Sequence, residues 1–192
     1  MRIFPLSLSQ YFARFNRDER GVSAVEFAML LPLMLTLYLG TAEISQAVGT
    51  DRKVTLTTRT VADLASQVKN ITNADMTNLL GASASVIAPY DSSKLKVTVS
   101  RVDIDGNGNA KVVWSDTLGG SAMHQPNDVV SVPTALKVPN SSLIWSEVSY
   151  AYQPPVGAEI LSYLGLPQGT INLSDQIYMA PRLSNVVTRS VS

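Results

Sequence analysis

The stretch RDERGVSAVEFAMLLPLMLTLYLG, Arg17–Gly40, decides how the rest of the chain is read. Four consecutive charged residues, Arg17 to Arg20, run straight into an apolar segment. From Val22 to Gly40 the only formal charge is Glu26, and the polar content is limited to Ser23, Thr36 and Tyr38. Nineteen helical residues rising ~1.5 Å each cover about 29 Å, close to the hydrocarbon thickness of a bilayer. A buried core helix of a small domain would show a polar face, and this segment shows none. Residues 22–40 are therefore expected to form a transmembrane helix. Pro32 removes one backbone donor inside it, so a kink is expected there. Tyr38 falls near the far end, at headgroup depth. Arg14, Arg17 and Arg20 flank the near end, which predicts a cytoplasmic N-terminus and export of everything after Gly40. A cleaved secretory signal is the competing reading, with a small-residue context in LYLGTAEIS. The long leader before the apolar run and the acid inside it argue against that reading.

The chain of 192 residues has room for one modest domain besides this helix. Basic and acidic residues number 15 each, so no global charge points to nucleic acid. Four arginines fall in the first 21 residues against Asp18 and Glu19, leaving the remainder mildly acidic with 11 basic and 13 acidic residues. Cysteine is absent, which removes disulfides, thiol nucleophiles and thiolate metal sites from consideration. The single histidine, His124, nearly excludes the common zinc sites.

Within the opening stretch, Gly21-Val22-Ser23-Ala24-Val25-Glu26-Phe27 resembles the processing site of type IV prepilins, in particular the Tad branch. In that branch the leader ends in glycine, a glutamate follows five residues later, and an aromatic residue comes next. RGVSAVEFAMLLPLMLTLYLG as a whole resembles the TadE-like pseudopilins of the TadE, TadF and TadG group, including the proline of LLPL. The resemblance implies a leader over residues 1–21, cut between Gly21 and Val22 by a prepilin peptidase of the bacterial inner membrane. It implies partners among other pseudopilins and the major pilin of a Tad (Flp) pilus system. It also offers a role for Glu26. A carboxylate at membrane depth costs on the order of 2.5–3.5 kcal/mol on insertion scales, so it tends to persist only with a partner. Cleavage creates an α-amine at Val22, largely cationic at neutral pH because chain-terminal amines ordinarily titrate near pH ~8. Glu26 lies one helical turn from that amine and is expected to pair with it, or with the amine of a neighbouring subunit, with Phe27 completing the recognition motif. The alternative is a glutamate that snorkels to the cytoplasmic headgroups.

After Gly40 the sequence stays helix-permissive to about Asn70. Val61, Leu64, Ala65 and Val68 recur at helical spacing, while Gly49 and five threonines between Thr50 and Thr60 weaken the helix locally. A helical stalk over 41–72 is expected, and NITNAD ends it. Ala74 to Gly81 is read as a short additional helix. From Lys94 the period changes to two: KLKVTVSRVDI and AKVVWSD flank the turn DGNGN and form a hairpin. SLIWSEVSYAYQP is a further strand, read with Ile144, Glu147, Ser149 and Ala151 on one face and Trp145, Val148, Tyr150 and Tyr152 on the other. AEILSYLGL is read as a short helix ending at Gly165, and INLSDQIYMAPR as a last strand. The expected class is α+β, a long N-terminal helix followed by a small antiparallel sheet over 73–192, pilin-like and periplasmic.

Candidate chemistry is sparse. Asp103, Asp105, Asn107 and Asn109 alternate like calcium ligands around two glycines, yet the twelfth position, which should be a bidentate Glu, is Trp114. A plain hairpin turn is the expected reading. His124, in the loop-like SAMHQPND, has no second histidine beside it and is read as a surface residue. No nucleophile elbow, phosphate-binding glycine loop or metal-ligand cluster occurs. The expectation is a structural protein with no cofactor, no metal, no nucleic acid and no small-molecule substrate. The runner-up is an unprocessed, signal-anchored periplasmic domain that binds a ligand or a cell-wall component.

Overall fold

The computed structural model describes residues 20–120, 124–155, 162 and 169–190. They fold as a long helix followed by a five-stranded antiparallel sheet, an α+β arrangement. The chain divides into two compact units between Ile44 and Ser45. The first helix, α1, runs unbroken through both units from Arg20 to Ser66, 47 residues with Pro32 inside it.

The threonines that lower helix propensity on paper are absorbed by α1 itself. Thr50, Thr57, Thr58 and Thr60 each donate their hydroxyl to the carbonyl four residues earlier, at 2.8–2.9 Å. Bonded this way, a threonine is polar only internally and packs as a β-branched apolar residue. Thr50, Thr57 and Thr58 are accordingly fully buried beside Val54, Val61 and Ala65. Of the expected stripe, Val61 and Ala65 are buried and Val68 packs against the core, but Leu64 is exposed. Gly49 also has a packing reason. A Cβ built there would stand 2.9 Å from the Tyr90 hydroxyl, which lies against the bare helix backbone.

α1 stops at Ser66, four residues before the expected Asn70, because other groups take over its terminal carbonyls. Arg182 N–H donates to Ser66 O, and the Arg182 guanidinium pairs with Asp63. The chain then enters a two-residue strand, β1 (Asn70–Ile71). A second helix, α2, follows over Asn73–Ile87. It is longer than the predicted Ala74–Gly81. A capping box opens it: Thr72 Oγ1 accepts from Asp75 N–H, and the Asp75 carboxylate accepts from Thr72 N–H and O–H. These bonds hold the Asp75 carboxyl below the usual carboxylate range, the Thr72 side chain contributing most. Gly81 does not end the helix. It faces open space, and the helix runs on until Ala88, whose extended backbone suits the residue before Pro89.

The sheet contains β2 (Leu95–Ile104), β3 (Ala110–Leu118), β4 (Val129–Val130), β5 (Ser141–Tyr152) and β6 (Ile171–Met179), in the order β4-β3-β2-β5-β6. A last short strand, β7 (Thr188–Arg189), pairs in parallel with β1. The expected hairpin and the two later strands are all present. The predicted helix ending at Gly165 lies outside the described residues, Ser162 apart.

Two apolar clusters occupy the two faces of the sheet. On the inner face, Leu95, Val97, Val99, Ile144, Val148, Tyr150 and Tyr152 pack with α1 and α2. On the outer face, Val102, Ile104, Ala110, Val112, Leu143 and Trp145 form a smaller cluster with Val132. The register of β5 against β2 and β6 is continuous, so its faces alternate strictly. This corrects two residues of the expected pattern. Ile144 faces inward with Val148, Tyr150 and Tyr152, and Trp145 faces outward with Glu147. In β3 the alternation does shift. Arg101 pairs with Trp114 and Val102 with Val112, leaving Val113 as a bulge. The bulge sends Ala110 and Val112 to the outer face and Trp114 to the inner one. There the Trp114 indole donates to Val187 O at 3.0 Å and ties the C-terminal segment to the core.

Candidate functional site

The first half of α1 is built unlike any other element. Every residue from Gly21 to Tyr38 is exposed, including Phe27 at 59% and Met29 at 77%. An apolar surface of that extent is far beyond what a water-soluble monomer leaves uncovered. Among the described residues, α1 is the one helix long and apolar enough to cross a membrane. Two of its hydroxyls are satisfied inside the helix. Thr36 Oγ1 donates to Pro32 O and Thr41 Oγ1 to Leu37 O, both at 2.8 Å. Such internal bonds are what lipid requires of a hydroxyl. Pro32 leaves the helix continuous. It supplies no N–H for the carbonyl of Ala28. A segment of this kind fits single-pass membrane anchoring.

The Gly21–Val22 peptide lies within the described helix, Arg20–Ser66. Among the described residues, a Cβ at Gly21 would meet nothing within 4 Å. Glu26 follows Val22 by four residues, about 6 Å along the axis and on the same face. Among the described residues it has no ion-pair partner. Phe27 projects on the adjacent face.

A family model described as "TadE-like protein" matches residues 21–63. The N-terminal segment is TadE-like. The match starts at Gly21 and stops within three residues of the end of α1. A TadE-like segment points to a Tad pilus-related role. Curated proteins and solved structures provide no match to the chain. The sheet that follows the TadE-like segment thus stands on its own geometry.

In that geometry the Asp103–Asn109 stretch carries the turn between β2 and β3. Asp105 Oδ1 accepts from Asn107 N–H and Asn109 N–H, and Oδ2 accepts from the Asn109 amide. The bonds from Asn109 are the main reason the Asp105 carboxyl sits below its ordinary range. Asp103 is held by Arg101 in a two-pronged ion pair. The Asp105 carboxylate is thus bonded within the turn, and that of Asp103 to its neighbour along β2.

His124 differs from the expected surface residue. Its Nε2–H donates to Glu147 Oε2 at 2.6 Å, and its ring stacks on Trp145 at 4.6 Å and 21°. Trp145 in turn stacks on Tyr178 at 5.5 Å and 13°. Burial pushes the Tyr178 hydroxyl above its usual range, with the nearby Glu147 charge adding to it. No local sequence signal marks this group, because its members come from a loop and two strands.

Proposed function

We propose that this chain is a minor pilin or pseudopilin of a Tad-type pilus, cut between Gly21 and Val22 and anchored in the bacterial inner membrane by α1. The observation that carries the reading is register. A glycine, a glutamate five residues on and an aromatic residue beside it fall at the start of an apolar helix that no other part of the described chain buries. The Arg-rich leader holds the N-terminus in the cytoplasm, and the sheet domain is exported. The partners are a prepilin peptidase, other pseudopilins and the major pilin. The work is structural: initiating, capping or linking the filament to its membrane assembly.

In this reading Glu26 meets a Val22 amine after cleavage, in its own subunit or a neighbouring one. Glu26→Gln tests it. The amide is cheaper to bury than the ion, so membrane insertion is unimpaired, and the Gly21 junction is untouched, so cleavage persists. Fibre yield falls at matched membrane abundance. Wild-type yield would return Glu26 to a snorkelling role without a partner. Deletion of the whole chain, followed by electron microscopy, tests the pilus assignment itself: loss of surface fibres supports it, and an unchanged fibre count contradicts it.

A further inference from the structure

The outer face of the sheet carries a hollow of about 450 Å³. Small-ligand sites commonly enclose roughly 300–1,000 Å³. Cross-strand pairing aligns Thr98, Glu147 and Gln176 in one row, with Ser149 and Ser174 paired in the next, and His124 closes one side. Two of these side chains are fixed by neighbours. His124 holds Glu147 by one carboxylate oxygen, and the Trp145 indole N–H donates to Gln176 Oε1 at 3.1 Å. The His124–Trp145–Tyr178 stack holds both neighbours in place. Glu147 thereby keeps its second oxygen as an acceptor, and Gln176 keeps its amide hydrogens as donors. Preorganised polar ends of this kind distinguish a built site from an ordinary polar strand surface.

The lining also selects among ligand classes. No lysine or arginine is among the described lining residues; Lys96 pairs with Ser149 in the adjoining row, so counter-charge for a phosphate or carboxylate stands beside the hollow and not within its lining. Val148 is the sole aliphatic residue among the described lining, and its side chain is buried on the inner face, so an apolar ligand finds no aliphatic wall. By register Asp175 lies in the inner-face row with Val148, which leaves Glu147, bonded through one oxygen to His124, as the one carboxylate that the described lining strands turn to this face. A compact cation therefore finds no free acidic pair. What remains is dense in neutral donors and acceptors. We infer that this hollow binds a neutral saccharide unit, a hexose or N-acetylhexosamine, with Glu147 accepting from its hydroxyls and the Gln176 amide and serine hydroxyls completing the contacts. The inference is independent of the pilus reading.

The test uses the full chain, isotopically labelled, in lauryldimethylamine oxide, a detergent without sugar. Glucose, galactose and N-acetylglucosamine are titrated separately while the Trp145 indole N–H resonance is followed. The Trp114 indole, bonded to Val187 O on the other face, is the internal reference. At least one sugar should move the Trp145 signal saturably, with Kd in the millimolar range. Glu147→Gln, which preserves shape, should weaken binding at least about tenfold, as expected for loss of a charge-assisted hydrogen bond. Ser174→Ala, an exposed change, should weaken it less. Three results would overturn the assignment: no sugar moving the signal up to its solubility limit, binding undiminished in Glu147→Gln, or phosphate or spermidine moving the signal in place of the sugars.

Discussion

The two halves of α1 invert the usual relation between apolarity and burial. Residues 21–38 are dominated by Leu, Met, Val and Phe, yet none of them is buried. Residues 50–66 include four of the chain's buried hydroxyl side chains, Thr50, Thr57, Thr58 and Ser66, and form part of the domain core. Both halves satisfy hydroxyls by the same bond back to an earlier carbonyl. The difference lies in what surrounds the helix. The second half has a sheet domain to pack against, and its small and β-branched residues allow close approach. The first half has side chains suited to hydrocarbon, and lipid is the solvent that makes their exposure favourable. Apolar content alone therefore does not mark a protein core.

The largest effect that separates the halves comes from a charge. Val61→Asp puts an unpaired carboxylate into a fully buried site and should cost several kcal/mol, enough to unfold a domain of ordinary stability. Leu33→Arg should leave the melting temperature of the sheet domain unchanged. It should instead lower the membrane-bound fraction, since an arginine at mid-bilayer costs about 2.5–3.5 kcal/mol on insertion scales. Equal thermal destabilisation by the two changes would break the comparison.

Next in size is the clasp at the C-terminal segment. Arg189 pairs with Asp116 at 2.9 Å and also donates to Asn73 Oδ1 and Ile71 O. Arg189→Ala should cost roughly 2–4 kcal/mol by chemical denaturation. That is somewhat below the full cost of breaking a buried pair, because the Asp116 side chain is 24% exposed. A change under about half a kcal/mol would mean that the β1–β7 pairing holds without it.

The smallest expected effect has the opposite sign. Ser146 is fully buried on the inner face of β5, and among the described residues its hydroxyl has no hydrogen-bond partner. The α1 threonines reach a carbonyl along their own helix, which a strand does not offer. Ser146→Ala should therefore stabilise the domain by about 1 kcal/mol, while Thr58→Ser, which keeps its helix bond, should destabilise it through the lost methyl. Destabilisation by Ser146→Ala would show that the hydroxyl is satisfied after all.

Local patterns make much of this fold legible in the sequence. The hairpin around Asp105–Asn109 announces itself through alternating strands and Asx-Gly turn residues. The apolar run and its Gly-Glu-Phe register are equally direct. What escapes a sequence reading is whatever distant residues decide. The Val113 bulge reverses the faces of β3 without a sequence signature. The inward turn of Ile144 follows from strict pairing along β5, against a pattern blurred by apolar residues on both faces. The β1–β7 pair is two residues long and joins chain segments 118 residues apart, as the Arg189–Ile71 contact records. α2 outruns its expected length because Gly81 resembles a terminator, whereas the Thr72–Asp75 box and Pro89 set its ends. The hollow beside His124 is invisible for the same reason as the bulge: its walls meet only when β2, β5, β6 and a loop are folded together.

The first half of α1 as a processed membrane anchor is the central claim. Intact mass and N-terminal sequencing of the native membrane-bound protein test it directly. The mature chain should begin at Val22, and Gly21→Val should leave a species heavier by the 21-residue leader. A native chain that retains Met1, or one cut beyond Gly40, would contradict it.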